Sequence, residues 1–292
     1  MSFLSTQDYT THQNIDMHQQ IIDLNPERTK FLNFLLTKQE KATSPKVYWI
    51  EEELSDAAET IAEGGDAPDF VKDSPKEIDN HLEIFSATAS VSTTRQESVG
   101  VGIQDEMARE VAKKASSIKR LAEKKLLYGN KRFAQGKRET NGIFNQVDPT
   151  HQFTGQLTAE TFDQTLLALY EAGVNYNMQV FCSAHVKNII DKFDESKVRH
   201  LTADKMYGYT IDRYSTAYGD VTFVDVPGMN RDDLLVLNDE FVTLPVLYGL
   251  KGSYLGKKGS LDSFFMETQM GVKLLNRKAA ATFKIEAPAT GE

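Results

Sequence analysis

An uninterrupted amphipathic segment between Ile103 and Tyr128 constrains the fold of this chain more than any other feature. It contains no glycine or proline, and its apolar residues recur at steps of three and four: Met107, Val111, Ala115, Ile118, Ala122 and Leu126. Such spacing predicts one apolar stripe along an α-helix of about 26 residues, roughly 39 Å long. Gly129 follows and is suited to end the helix.

Two neighbouring segments carry opposite net charge. Residues 51–83 contain twelve acidic residues against two lysines, a net charge of −10. Residues 105–138 contain eleven basic residues against four acidic ones, a net charge of +7. The acidic segment lies between two stretches typical of strands, "KVYWIEEEL" and "EIFSATASVSTT". Residues 49–92 are therefore predicted to form one long hairpin rather than a tether without structure.

The remaining sequence mixes helix and strand patterns, which is typical of an α+β fold. Near Pro26, a short helix is predicted around the apolar cluster Phe31, Leu32 and Leu35. Another helix is predicted between Thr158 and Gly173, with one face formed by Phe162, Leu166, Leu169 and Tyr170. The stretch "MQVFC" predicts a buried strand, followed by a helix with Val186, Ile189, Ile190 and Phe193 aligned. A hairpin is expected to turn near Gly219 and Asp220, before a β-rich end.

The composition is that of a globular protein, and it excludes several function classes. The net charge of −9 disfavours non-specific binding of nucleic acid by the whole surface. A single cysteine, Cys182, excludes an intramolecular disulfide and any zinc site built from several cysteines. The first residues do not resemble a signal peptide, and no apolar run approaches the roughly 18 residues of a membrane span. We therefore expect an intracellular protein with no membrane partner.

Candidate catalytic residues are few. In "FCSAHVKN", Cys182 lies three residues before His185, and such a pair could supply the nucleophile and base of a hydrolase. The alternative is a small buried cysteine with a surface histidine on the next helix. Lys257 and Lys258 lie in "GSYLGKKGS", which lacks the spacing of a phosphate-binding loop, and the six histidines show no metal-ligand spacing. The sequence thus predicts no cofactor, no metal and no catalytic site.

Several stretches, in this order, resemble the tailed-bacteriophage major capsid proteins, which have the Hong Kong 97-like fold. "IIDLNPERTKFLNFLLTK" (21–38) is similar to an N-terminal signature of one branch, although Lys30 stands where a second proline is frequent. "VYWIEEEL" and "NHLEIFSATASVSTT" resemble the edges of an extended loop, "IKRLAEKKLLYGN" the end of a spine helix, and "ETNGIFNQV" the segment after it. "AYGDVTFVDVPGMNRDDLLVLND" and "GLKGSYLGKKGSLDSFFMETQMGVKLLNRKAAATFKI" resemble the C-terminal half. The resemblance covers residues 21–285.

The resemblance implies an α+β, Hong Kong 97-like capsid fold with five parts. These are an N-terminal arm (1–45), an extended loop hairpin (46–95), a peripheral domain with the spine helix (96–150), an axial domain (151–245) and a return to the peripheral domain (246–292). It also implies hexamers and pentamers that form an icosahedral head shell, assembled in the host bacterial cytoplasm around double-stranded DNA that is not recognised by sequence. The implied partners besides other copies are a scaffolding protein, a portal and a decoration protein. An encapsulin-like nanocompartment shell shares the fold and stays open as the alternative.

In this family the extended loop lies across a neighbouring subunit, so its acids could dock on basic residues of another copy. The acidic candidates for this interface are Glu51, Glu52, Glu53, Asp56, Glu59, Glu63, Asp66 and Asp69. The basic candidates are Lys113, Lys114, Lys119, Arg120, Lys124 and Lys125. Alternatively, both segments are ordinary solvated surfaces whose opposite signs are coincidental.

Overall fold

The computed structural model describes residues 29–52, 58–64, 66, 69, 72, 75–98, 105–193, 205–206, 209–210 and 212–286. Within these ranges the helices are α1 (Lys30–Thr37), α2 (Thr93–Glu97), α3 (Glu106–Tyr128), α4 (Ile143–Gln146), α5 (Ala159–Glu171) and α6 (Ala184–Ile190). The first eight strands are β1 (Gln39–Lys41), β2 (Lys46–Glu51), β3 (Lys76–His81), β4 (Glu83–Ser92), β5 (Arg132–Ala134), β6 (Lys137–Glu139), β7 (Gln152–Gly155) and β8 (Met178–Cys182). The others are β9 (Lys205–Met206), β10 (Tyr209–Thr210), β11 (Asp212–Thr216), β12 (Gly219–Asp225), β13 (Asp233–Asn238), β14 (Val242–Lys258), β15 (Leu261–Met270), β16 (Lys273–Leu274) and β17 (Ala280–Ile285).

The chain divides into two compact units. One contains the described residues of Ala87–Ser117 and Gly252–Met266, and the other those of Arg28–Ser86, Ile118–Lys251 and Glu267–Glu292. Residues 1–28, the first part of the predicted arm (1–45) with Pro26, lie outside the described residues. A mixed sheet has the strand order β1-β14-β15-β4, with β16 on β14.

The larger unit is built on a six-stranded sheet of order β11-β12-β8-β13-β17-β7. Strand β8 is parallel to β12 and antiparallel to β13, and all six residues of the central strand β13 are buried. One face of β8 presents Val180 and Cys182 to a cluster formed with Phe162, Leu166 and Leu169 of α5 and Val186 and Ile190 of α6. Because side chains alternate along a strand, Phe181 lies on the opposite face, where its ring meets Phe31 of α1 edge to face at 5.0 Å.

The long helix is confirmed as α3, which ends at Tyr128. It begins at Glu106, because the Asp105 carboxylate accepts a hydrogen bond from the Ala108 amide 3.0 Å away and so caps the first turn. The predicted start, Ile103, lies outside the described residues. Ile118, Ala122 and Leu126 of the predicted stripe are fully buried, whereas the earlier members are only partly so.

A buried glutamate on α3 fixes the short helix α1. Glu123 is 2% exposed, and its Oε2 atom accepts a hydrogen bond from the Leu32 amide at 3.0 Å. That amide belongs to the first turn of α1, where amide groups have no partner within the helix and a carboxylate is favoured by the helix dipole. The predicted buried cluster of α1, Phe31, Leu32 and Leu35, is confirmed.

The smaller unit is held by side-chain contacts between short elements. Ser92 caps α2 by accepting a hydrogen bond from the Arg95 amide, and the Arg95 guanidinium lies 3.2 Å from the Glu106 carboxylate. Ser90 of β4 and Ser263 of β15 share a hydrogen bond of 2.9 Å. Gly252 of β14 lies under the Phe264 ring so closely that an added Cβ would come within 2.3 Å of it.

Three sequence predictions are wrong in detail. The strand "EIFSATASVSTT" exists as β4, but it belongs to the sheet with β15, and the hairpin partner of β2 is instead β3. Tyr170 is half-exposed and contacts only the edge of the apolar cluster through the Tyr218 ring at 6.1 Å, whereas Phe162, Leu166 and Leu169 are buried in it. The β11–β12 hairpin turns at residues 217–218, since Gly219 already pairs with Thr216.

Cys182 is fully buried, and we predict that it is structural. Cys182→Ala should lower the free energy of unfolding by about 1 kcal/mol, the usual size of a small core truncation. Cys182→Ser should cost more, because a hydroxyl in this apolar cluster loses its hydrogen bonds to water. Urea unfolding followed by far-ultraviolet circular dichroism measures both values. A loss above about 3 kcal/mol for the alanine variant, or the loss of a catalytic activity, would contradict a purely structural role.

Candidate subunit interface

The acidic segment leaves the body of the protein through a two-stranded ribbon. Strands β2 and β3, here called the hairpin root, pair in antiparallel register from Lys46 opposite His81 to Glu51 opposite Lys76. One face of the root is turned inward and carries the buried Trp49 and Asn80. The other face carries Tyr48 and Ile50, which are exposed. Both faces belong to the larger unit.

Asn80 attaches the hairpin root to the body. Its side chain is 1% exposed, and its Nδ2 atom donates to the Val272 carbonyl at 2.7 Å, the Asn141 carbonyl at 3.1 Å and the Thr140 hydroxyl at 3.3 Å. Its Oδ1 atom accepts from the amides of His81 and Asn141, both at 2.8 Å. One amide side chain therefore connects β3 with two other segments of the chain, and all its polar atoms are used.

The residues around Asn80 are closely packed and joined by further hydrogen bonds. The Glu83 carboxylate accepts a hydrogen bond from the Thr140 amide at 3.1 Å, and Gln269 Nε2 donates to the Leu82 carbonyl at 3.0 Å. Burial raises the pKa of Glu83 despite that amide bond. A Cβ atom at Gly271 would lie 2.9 Å from the His81 carbonyl and 2.8 Å from the Leu82 side chain, so only glycine fits there.

Two lysines neutralise Asp79 beside Asn80. Lys46 Nζ lies 2.8 Å from the Asp79 carboxylate, and Lys131 forms a second ion pair with it. Burial alone would raise the pKa of Asp79, but the hydrogen bonds from Lys131 and Lys46 outweigh it and lower the pKa. Burial and the charge of Lys131 lower the pKa of the adjacent His81, so its imidazole is favoured in the neutral form.

The predicted acidic residues do not share one environment. Glu51 is engaged in its own chain, where it accepts hydrogen bonds from Arg277 Nε at 2.7 Å and from the Arg277 amide at 3.2 Å. The other described candidates are exposed, namely Glu52, Glu59, Glu63, Asp66 and Asp69. Glu53 and Asp56 lie outside the described residues. Residues 58–69, midway between the two strands, are here called the tip segment, and they retain an accessible negative charge.

The predicted basic residues of α3 also differ in their surroundings, because some form ion pairs within the chain and others are exposed. Lys113 pairs with Glu110 at 3.0 Å, and Lys125 lies 4.0 Å from Glu83 and 3.9 Å from Glu139. Lys114 is half-buried, whereas Lys119, Arg120 and Lys124 are exposed. The docking of the hairpin acids on these residues in another copy stays a prediction.

The cysteine and histidine of "FCSAHVKN" are not arranged as a nucleophile and its base. The Cys182 thiol lies in the apolar cluster, and burial raises its pKa to about 12, so it stays protonated at neutral pH. His185 is partly exposed, with its Nε2 atom 3.7 Å from Asp232. Among the described residues, no group of three or more potential ligands is placed to hold a metal, and no helix is long and apolar enough to span a membrane.

The residues that attach the hairpin were missed by sequence reasoning. Asn80 lies in the polar stretch "KEIDNH", which has the composition of a loop, and no local pattern marks it as buried. Gly271 and Gln146 likewise have no local signature. Gln146 donates to the Asn141 and Val272 carbonyls and accepts from the Leu274 amide. Val272 and Leu274 are distant in sequence, so no local pattern predicts these contacts.

We predict that Asn80→Ala destabilises the protein by about 2–4 kcal/mol, because it leaves several buried backbone groups without partners. The hairpin root should also be cut sooner by limited proteolysis than in the wild-type chain, since one of its attachments is lost while the Glu51–Arg277 contact remains. Urea unfolding and mass spectrometry of the fragments measure the two effects.

The matched control is Asn130→Ala, which changes an exposed asparagine of the same unit whose Oδ1 atom accepts one solvent-exposed hydrogen bond from Asn145. It should alter stability by less than about 1 kcal/mol and leave the proteolysis pattern unchanged. Equal stability of the Asn80 and Asn130 variants would contradict the role assigned to the Asn80 contacts.

Known capsid proteins match this chain in sequence family and in fold. A family model described as "SU10 major capsid protein" matches residues 4–286. No curated protein matches the chain significantly.

Among solved structures, the cyanophage A-1(L) capsid has a TM-score of 0.67 at 12% identity, covering 96% of this chain and 99% of that one. The capsid of Myoviridae phage XM1 has a TM-score of 0.66 at 12% identity, and the match covers 97% of this chain and 100% of that one. The holo-SrpI encapsulin complex from Synechococcus elongatus PCC 7942 has a TM-score of 0.66 at 12% identity, and the match covers 97% of this chain and 96% of that one.

At this identity the solved structures establish the fold, which is Hong Kong 97-like and is shared by phage capsids and encapsulins. The family model decides between them, because it covers nearly the whole chain and describes a phage capsid protein. This chain belongs to the SU10 major capsid protein family.

Proposed function

We propose that this major capsid protein assembles through hexamers and pentamers into the closed icosahedral head shell of a tailed phage. The observation that carries the proposal is the family match over residues 4–286, on a chain with the fold shared by phage capsids. The five sequence-based parts, from the arm at 1–45 to the return at 246–292, are proposed as the subdivisions of the subunit. The family is one of structural proteins, and we propose no catalytic activity.

The hairpin root supports assembly through contacts between copies. A two-stranded ribbon is marginally stable in water by itself. This one buries its inner face in its own chain, whereas on the opposite face Asp79 and His81 are half-buried and Tyr48, Ile50 and Glu77 are exposed. The exposed Tyr48 and Ile50 of the root and Phe133 of β5 are here called the outer face. This face and the exposed acids of the tip segment are available to a neighbour. In a shell each such contact repeats at every subunit boundary, so a weak attraction at one site adds up over the particle.

The remaining partners follow from the same proposal. We propose that double-stranded DNA is confined by the shell rather than read, because the chain has a net charge of −9 and no groove-reading motif. A scaffolding protein, a portal and a decoration protein are proposed to act with it during assembly in the host cytoplasm.

An encapsulin-like compartment is the second candidate, because the SrpI encapsulin shares the fold. The two functions differ in what the particle encloses and in the genes nearby. Terminase, portal and protease genes would accompany a phage capsid protein, and a cargo enzyme would accompany an encapsulin.

We predict that the purified protein forms capsomers or shells, because its ribbon and outer face are completed only by other copies. Size-exclusion chromatography and negative-stain electron microscopy should show large particles, with or without a scaffolding protein. A homogeneous monomer that persists with scaffold and at high protein concentration would contradict the proposal.

We also predict that charge steers assembly. Each exposed ion pair contributes only about 0.2–1 kcal/mol. Long-range attraction mainly speeds encounter and sets register, so assembly should slow as salt rises past roughly 0.15 M, where the Debye length is about 8 Å. Replacing the exposed acids Glu59, Glu63, Asp66 and Asp69 by lysine should impair capsomer formation, as measured by light scattering.

The compensating variant replaces the exposed Lys119, Arg120 and Lys124 by glutamate in the same chain. Assembly should then be partly restored, because the opposite signs are re-established between copies. Normal assembly of the lysine variant, or a double variant worse than either single one, would mean that these acids only keep the subunit soluble.

A further inference from the structure

The outer side of the hairpin root carries a row of large apolar side chains. Tyr48 and Ile50 lie on the same side of β2 as Lys46, because side chains two residues apart share a face. They are 53% and 70% exposed. His81 lies opposite Lys46 on β3, and its ring contacts the ring of Phe133 of β5 at 6.2 Å. Phe133 is 59% exposed. Tyr48, Ile50 and Phe133 therefore make up the outer face, and the half-buried His81 lies between the root and Phe133.

Charged side chains border the outer face, and the basic ones outnumber the acidic ones. Glu77 lies opposite Ile50 and Asp79 lies opposite Tyr48, where Lys46 and Lys131 both pair with Asp79. Lys46 Nζ lies 4.5 Å from the centre of the Tyr48 ring, and the Arg138 guanidinium lies 5.1 Å from the centre of the Phe133 ring. Residues 131–139 contain four basic residues and one acidic residue, a net charge of +3. The contact of Lys125 with Glu139 at 3.9 Å places this basic border next to the lysine-rich end of α3.

The tip segment has the complementary character. Residues 58–69 contain Glu59, Glu63, Asp66 and Asp69 and no basic residue, a net charge of −4. Between the first two acids lies Ile61, which is 56% exposed. An apolar side chain flanked by carboxylates thus occurs in the same chain as an apolar face bordered by cations.

We propose that the outer face of one copy is the acceptor for Ile61 of a second copy, with Glu59 and Glu63 directed to the basic border. The proposal rests on the assembly proposed above and names the contact within it. Large apolar side chains grouped on one face of a soluble protein mark an interaction surface, whereas single ones are ordinary. A hydrophobic centre with a charged rim is the usual composition of a protein interface. The apolar contact supplies register, and the charges bring the copies together.

Cysteine cross-linking between copies tests this contact. Chains carrying Ile61→Cys are mixed in equal amounts with chains carrying Phe133→Cys, assembled and oxidised. The native Cys182 is fully buried and stays out of the reaction. We expect a cross-linked dimer whose digest contains a peptide joining positions 61 and 133, and only in the mixture. The matched control replaces the exposed Tyr176 with cysteine, and it should give no adduct with position 61.

A second arm uses Phe133→Ser and Tyr48→Ser, which change exposed side chains and should leave the fold intact by circular dichroism. Each should raise the protein concentration needed for assembly by roughly tenfold, the effect of removing a central apolar contact from an interface. Tyr176→Ser is the control and should leave that concentration unchanged.

The outcomes separate this contact from the proposed function. If particles form but positions 61 and 133 do not cross-link, or if Tyr176→Cys captures position 61 equally well, the acceptor assignment is wrong and the shell function stands. If the cysteine variants do not assemble, the serine variants decide: an unchanged assembly concentration overturns the contact. If the wild-type chain never forms particles, the proposed function itself fails.

Discussion

The hydrogen bonds of Asn80 determine how this subunit presents its hairpin. A ribbon of two strands has no core of its own, and its direction depends on where its base is fixed. Asn80 fixes that base by joining β3 to the Thr140 hydroxyl and to the backbone of Asn141 and Val272, in a buried setting where each lost bond is costly. Because Gly271 has no side chain, its backbone can lie against the His81 carbonyl and the Leu82 side chain. The result is a ribbon with a rigid root, one buried face and one open face.

This asymmetry connects the fold with the function of the family. A major capsid protein must be stable as a subunit and still expose surface that only other copies complete. Here the six-stranded sheet with α5 and α6 supplies the apolar cluster of the larger unit, and Glu123 links α3 to α1 within the same unit. The hairpin contributes little to that cluster and instead carries exposed acids and the outer face.

Local sequence patterns predicted the structure correctly wherever a short segment determines its own conformation. The buried residues of α1, the end of α3 at Tyr128 and the Thr158 cap of α5 could all be predicted, because periodicity and capping are local properties. The second hairpin strand could not, since "KEIDNH" is polar and becomes a strand through pairing with β2 and the contacts of Asn80. The family and its fold were recognised from the order of motifs. The docking residues were proposed from net charge alone, and charge could not reveal that Arg277 already occupies Glu51.

The decisive experiment is a cryo-electron microscopy map of the assembled particle at side-chain resolution. We expect the Asn80 contacts to persist in every subunit and the outer face, Tyr48, Ile50 and Phe133, to be covered by the tip segment of another copy. A map in which the outer face is open to solvent in all subunits, or in which β3 has left Thr140 and Val272, would contradict this expectation.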